Sequence, residues 1–296
     1  MKLPTPFIRL PIRFDIARLQ QELAQFADPD WAAHPLHYKG NSAIRLISAN
    51  GEENDDIAGE MMITRHLRRC AYVQQVFSVF QSVLTRSRFM RLAPGNVVPE
   101  HCDINYHWIH RTRIHIPIVT HPDVRFKCDG TEVHMAAGEA WIFDNWRPHS
   151  VENNSDITRV HLVIDTAGSP FFWNMVANGQ VGNFERSPAE LPVLAFDDAF
   201  QPVLTTERFS HLSLMPVSEV KARCREINDD LTSDDSPEAK PVRASMSDLL
   251  SAFARNWESL WSIYGDERTA IRHYRRLIEQ ARAQLSFFPD LVQMQS

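Results

Sequence analysis

The sequence predicts a mainly β fold with helices, an antiparallel barrel or jelly roll followed by a helical C-terminal region. Three observations predict it. Between Arg88 and Asp165 the apolar residues recur with period two in at least six short runs, joined by turns and with no helical stretch between them. Asp129-Gly130 sits between two such runs as a two-residue hairpin. After about residue 215 the period changes to that of a helix, with Leu249, Leu250, Phe253, Trp257, Leu260, Trp261 and Tyr264 on one apolar face.

Residues 1–13 alternate apolar positions with three prolines, a short strand or arm laid on the body. Asp15 is placed to cap a helix over 15–27, where Ile16, Leu19, Leu23 and Phe26 share a face. Residues 28–45 are turn-rich and carry Trp31, His34, His37 and Tyr38. The acidic, glycine-bounded run 49–60 reads as a solvated loop, with a mobile lid as the alternative. Ile63 to Thr85 carries a helical stripe through Leu67, Cys70, Val73, Phe77, Phe80 and Leu84, a buttress packed on a sheet. Strands follow at 88–92, 111–118, 124–128, 131–135, 140–144 and 158–165. A loop-rich passage leads to about 210, and helices are expected at 216–231, 245–263 and 266–284, with the polar stretch 232–241 as a linker. This divides the chain into an N-terminal arm and buttressing helices (1–85), a jelly-roll catalytic core (86–170) and a C-terminal region (171–296).

Composition narrows the function. The net charge of −6 and the lack of a Lys/Arg run speak against nucleic acid. No window approaches about 18 consecutive apolar residues, so no membrane partner is expected, and residues 1–15 lack the apolar core of a signal peptide. The four cysteines, Cys70, Cys102, Cys128 and Cys224, form no C-x-x-C pair, which predicts a reducing, cytoplasmic setting without a disulfide scaffold.

The chemistry concentrates in 87–166. His101 and Asp103 are two apart, on one side of an extended segment. His149 follows 46 residues after the Asp, behind Pro148, and Arg159 ten residues later. Two imidazoles and a carboxylate are the facial ligand set that leaves open positions on Fe(II). Arg159 carries a fixed cationic fork suited to a carboxylate, with Arg113 or His115 on the facing strand as a second contact. Tyr106, Trp108, Arg111, Asp144, Asn145 and Trp146 flank these elements as candidate substrate contacts. His107, His110, His121, His134 and His161 are expected at the surface or in supporting positions, and Cys102 facing away from the metal.

These residues carry a resemblance. Leu92-x-Pro94-Gly95 with His101, Arg111-x-Arg113-x-His115, Gly138-Glu139-x-Trp141-x-Phe143-Asp144, His149-Ser150, and Arg159-x-x-Leu162-x-x-Asp165 resemble the aspartyl/asparaginyl β-hydroxylase branch of the Fe(II)/2-oxoglutarate-dependent oxygenases. The stretch from His134 to Asp144 followed by His149-Ser150 is similar to the bacterial proline hydroxylases within it. The resemblance is strong over about 80 residues and looser over 63–290. It implies a double-stranded β-helix, cupin-like, with His101, Asp103 and His149 as iron ligands, Arg159 as the anchor of the 2-oxoglutarate carboxylate, and His115 and Arg113 in the cosubstrate pocket. It further implies hydroxylation of an unactivated C–H by O2, with release of succinate and CO2. Asp103 completes the triad where halogenating relatives have a small residue. An amino acid or amino-acid-derived small molecule is the expected substrate; an Asp or Asn side chain in a peptide or carrier-bound substrate, and a non-catalytic metal- or ligand-binding module, are the alternatives. The C-terminal helices, with Trp257, Trp261 and Phe287-Phe288, are compatible with a pocket cover, a homodimer contact or plain core.

Overall fold

The computed structural model describes residues 1–33, 38–103, 105–184, 191–209, 214–232 and 239–284. His34, His37, Phe287, Phe288 and most of the expected 232–241 linker lie outside these residues.

The N-terminal arm is strand β1 (Phe7–Phe14), and Asp15 caps helix α1 (Ile16–Leu23) by accepting the Arg18 amide at 3.1 Å. Next come β2 (Ala32–Ala33), β3 (Asn41–Ala49), β4 (Met61–Ile63) and helix α2 (Ala71–Val79). The jelly-roll strands are β5 (Val83–Leu92), β6 (Val97–His101), β7 (Thr112–Val119), β8 (Val124–Cys128), β9 (Thr131–Val133), β10 (Glu139–Phe143), β11 (His149–Asn153) and β12 (Arg159–Gly168). Helix α3 (Pro170–Ala177), β13 (Val193–Leu194), and helices α4 (Val217–Thr232), α5 (Ala239–Tyr264) and α6 (Ile271–Gln284) complete the described chain.

The strands form two sheets. The larger has the order β13-β1-β10-β7-β12-β5-β3-β2, with β4 also on β3; the smaller is β6-β11-β8-β9. No strand belongs to both, so this is a jelly roll of two sheets and not a closed barrel. Strand alternation sorts the large sheet's two faces. Ile114, Ile116, Ile118, Val160, Leu162 and Ile164 point to one side and bury against α1, α2 and α3 in the main core. The opposite face meets the small sheet through a second core that includes Phe7, Phe126, Trp141, Phe143 and Val151. Phe126 and Phe143 meet at 4.8 Å between ring centroids. Asp129 and Gly130 both have positive φ (48° and 73°), the backbone a two-residue hairpin needs, and they join β8 to β9.

Three expectations are corrected. The helix predicted over 63–85 is confined to α2: Gln81 has φ 45°, and from Val83 the chain is strand β5, because the apolar residues of 83–89 serve a sheet buried on both faces. Residues 41–49, half of them assigned to a turn-rich stretch, form β3, again buried on both faces and so without a two-fold alternation. The loop-rich passage after 165 contains α3, whose start is marked by Ser169, accepting the Phe172 amide, and by Pro170.

The chain divides into two compact units, one holding most of residues 1–210 and one holding 105–106 and 214–284 of the described chain. Within the second, Leu250, Phe253, Trp257, Tyr274 and Ile278 form a buried helical core, and the Trp257 indole donates to the Met215 carbonyl at 3.0 Å. Trp257 is therefore core. No described helix is long and apolar enough to cross a membrane.

Candidate metal centre

The small sheet brings the two histidines together. His149 on β11 is the direct antiparallel partner of His101 on β6, and their rings lie 4.2 Å apart. Asp103 lies two residues beyond the end of β6, and its amide donates to the Asn145 carbonyl at 2.8 Å, fixing the turn that carries it. One ligand atom from each of His101, Asp103 and His149 falls within 4.8 Å of the others. The orientation of the rings is set behind them: the His101 Nδ1 donates to the Pro99 carbonyl at 2.8 Å and the His149 Nδ1 to the Arg147 carbonyl at 2.9 Å. A carbonyl only accepts, so both Nδ1 atoms are protonated and each Nε2 lone pair is left for a ligand. Burial pushes the His149 imidazole down to about 4, so it stays neutral and able to coordinate.

Arg159 opens β12 on the face that looks toward the small sheet, with His161 two residues on. Its Nη2 donates to His161 Nδ1 at 2.7 Å. His115, from β7, stands 3.4 Å from the same nitrogen, between Phe126 and Phe143. Arg159 Nε, His115 Nε2 and His161 Nε2 are buried with no hydrogen-bond partner among the described residues. Burial pushes the Arg159 guanidinium down to about 9 and holds both imidazoles well below their usual value, so this end carries one cation and two neutral rings. Of these, Arg159 Nε and His161 Nε2, protonated because its Nδ1 accepts from Arg159, are orphaned donors that fit a carboxylate ligand.

Of the two expected second contacts, His115 sits beside the Arg159–His161 pair and Arg113 does not. Arg113 grips Asp165 with two hydrogen bonds (2.7 and 3.0 Å), reaches Asp103 at 3.7 Å and lies over the Trp108 ring at 4.4 Å. The candidate substrate contacts divide as well. Arg111 pairs with Glu207 and donates to the His107 carbonyl, Asp144 accepts from Leu3, Trp146 and Arg147, and Trp146 donates to the Trp108 carbonyl. Tyr106 is buried. Asn145 is fully buried with both side-chain polar atoms unpartnered among the described residues.

Three groups were given no named site role by the sequence: His161 and His107, expected at the surface or in supporting positions, and Asp55. His161 shares Arg159's face by simple alternation, which was readable from Arg-x-His. His107 is fully buried, with both ring nitrogens unpartnered among the described residues and Nε2 4.0 Å from Asp165. The third is Asp55. Its run was expected to be solvated, yet Asp55 folds inward to Arg45 and Arg88.

Comparison with known proteins gives this geometry a family. The Aspartyl/Asparaginyl beta-hydroxylase model matches residues 14–168. The chain is 24% identical over 158 residues to L-proline cis-3-hydroxylase 1 of a Streptomyces species, covering 51% of this chain and 52% of that protein. It is 24% identical over 172 residues to L-proline cis-4-hydroxylase of Rhizobium meliloti (strain 1021), covering 54% of this chain and 60% of that one. The chain thus spans about half the length of the first of these curated relatives and somewhat more of the second. A solved oxidoreductase of the 2OG-Fe(II) oxygenase family from Burkholderia pseudomallei is 14% identical, with a TM-score of 0.35 over 52% of this chain and 79% of that one, a likeness too slight to argue from. The family match covers more than half of the 296 residues and includes every member of the metal triad, so the chain belongs to the aspartyl/asparaginyl β-hydroxylase family.

Proposed function

We propose that the protein is an Fe(II)- and 2-oxoglutarate-dependent dioxygenase that hydroxylates an unactivated C–H of an amino acid or amino-acid-derived small molecule. The observation that carries the proposal is the convergence of His101, Asp103 and His149 within 4.8 Å, with both Nδ1 atoms already committed to backbone carbonyls. Two imidazoles and a carboxylate suit Fe(II) and leave positions for further ligands. When bound, the iron and 2-oxoglutarate would supply the oxidising power for O2 chemistry on carbon. The chain's own residues orient and shield. Arg159, held by His161, would receive the far carboxylate of 2-oxoglutarate, with the unpartnered nitrogens of His115 and His161 beside it. Phe126 and Phe143 wall the histidines and exclude water. The L-proline hydroxylases among the relatives support an amino acid as substrate.

The test is anaerobic. Fe(II) and 2-oxoglutarate are added to the purified protein, and the visible charge-transfer absorption of the chelate is followed in the parent, Asp103→Ala and Arg159→Ala. The expected result is a band in the parent that weakens in Arg159→Ala and is lost in Asp103→Ala. A folded parent protein that binds iron but forms no chelate would overturn the oxygenase reading in favour of a binding module.

A further inference from the structure

The turn that joins β10 to β11, residues 144–148, touches the metal ligands from behind at two points. The Asn145 carbonyl accepts the Asp103 amide, and the Arg147 carbonyl accepts His149 Nδ1. The shape of this turn therefore sets where two of the three ligands stand. Asp144 fixes that shape. Its carbonyl accepts the Arg147 amide at 3.1 Å and its Oδ1 the Trp146 amide at 3.0 Å, which closes the turn on itself. Its Oδ2 accepts Arg147 Nε at 3.0 Å, and the same guanidinium goes on to Asp129 in the β8–β9 hairpin. Two further bonds leave the turn. The Asp144 amide donates to the Pro6 carbonyl at 3.0 Å, and Oδ2 accepts the Leu3 amide at 3.1 Å. Residues 3–6, which lead into β1, thus grip the turn that carries the ligands. Asp144 is 2% exposed, and Leu3 is buried in the main core. A buried carboxylate is costly unless its oxygens are satisfied, and among the described residues those of Asp144 are satisfied by this turn and by the arm.

We propose that Asp144 is a positioning residue for the metal centre, tying the N-terminal arm to the turn that presents Asp103 and His149. The inference rests on the metal reading above and goes beyond it, because it makes the arm part of the site without any contact to metal or substrate. Removing the Leu3 amide leaves Asp144 Oδ2 to Arg147 alone, and the turn loses a buried anchor. Such coupling is reciprocal: the factor by which the arm tightens metal binding is the factor by which metal tightens the arm. Bound metal should therefore slow opening of the arm, and loosening the arm should weaken metal binding. The cosubstrate end behaves differently. Arg159 is held by His161 and has no bond to this turn among the described residues, so 2-oxoglutarate affinity at saturating metal should not follow.

The experiment uses full-length protein and Co(II), a redox-stable probe for a site of two imidazoles and one carboxylate. Co(II) and then 2-oxoglutarate are titrated by calorimetry into the parent, Asp144→Asn, Leu3→Pro and Leu3→Ala. Proline removes the amide that reaches Asp144, whereas alanine keeps it and trims the same side chain. Asp144→Asn is expected to bind Co(II) about tenfold more weakly than the parent. Leu3→Pro should bind it about fivefold more weakly than Leu3→Ala. In both, 2-oxoglutarate affinity at saturating Co(II) should stay near the parent's. In the parent, Co(II) should slow hydrogen exchange of the Leu3 amide, followed by NMR. Variants that melt lower yet bind Co(II) as the parent does would make Asp144 purely structural and overturn the proposal. An exchange rate at Leu3 that Co(II) leaves unchanged overturns it as well. Both results leave the metal reading intact, whereas a folded parent that binds no Co(II) overturns that reading itself. If Asp144→Asn does not fold, the Leu3 pair and the exchange measurement decide the matter.

Discussion

The two ends of β12 handle buried positive charge in opposite ways. Arg159 is 5% exposed, and its neighbours are two imidazoles, with no carboxylate paired to it among the described residues. At the other end Arg113, Arg86, Arg88 and Arg45 are drawn together by Asp165 and Asp55. Both segments alternate in the same way and lie on the same sheet face. The difference is that one cation has no carboxylate beside it among the described residues, whereas the others are neutralised from within. A bare buried guanidinium lowers stability and gains it back on binding; a braced one supports the fold without a ligand.

The largest expected effect tests the braced end. Asp165→Asn removes a fully buried partner of Arg113 and Arg86 and should cost about 3–5 kcal/mol, seen as a midpoint shift in denaturant. A loss under about 1 kcal/mol would mean that the cluster does not brace the sheet. Next, Arg159→Met should weaken 2-oxoglutarate binding about a hundredfold while leaving the apo-protein as stable as the parent or more so, measured by cosubstrate titration and calorimetry. If Arg159→Met destabilises the apo-protein as much as Asp165→Asn does, the contrast between the ends is wrong.

Asp55 offers a pH test. Burial alone would raise its carboxyl, but the Arg45 hydrogen bond and the Arg88, Arg45 and Arg86 charges outweigh burial and hold it below its ordinary 3.8. A lowered folded value means that stability is gained above about pH 4 and lost as pH falls through the folded value. Asp55→Asn should therefore destabilise at pH 7, and the deficit should shrink in acid. The three buried imidazoles act at higher pH. Burial, reinforced by nearby guanidiniums, holds His107, His115 and His161 far below 6.5, so the unfolded chain takes up protons first and stability should fall as pH drops below about 6.5. Replacing His161 by Leu should flatten part of that slope. It should also weaken 2-oxoglutarate binding about tenfold, the smallest effect in the series, because the residue positions Arg159 and leaves its charge in place.

The centre was more legible than its surroundings for a definite reason. Metal ligation needs particular residue types at spacings that strands impose, so His101, Asp103, His149 and Arg159 stood out in the linear chain. The faces of β7 and β12 were legible too, since alternation of Ile114, Ile116 and Ile118 with Arg113 and His115 is local. Strands buried on both faces have no alternation to read, which hid β3 and the first half of β5. Ser169-Pro170 was a readable helix start that the density of loop residues around it obscured.

The sequence by itself determined the strand-rich core, the hairpin at Asp129-Gly130, the candidate triad and the family, because each rests on local periodicity or residue chemistry. Only the tertiary structure decided which charges meet. Asp55 and Arg88 are 33 residues apart and Asp165 and Arg113 are 52 apart, and strand register across the sheet, with the fold of the loop before β4, sets those pairings. Electrostatic partnership depends on distance in space, and no local pattern records it.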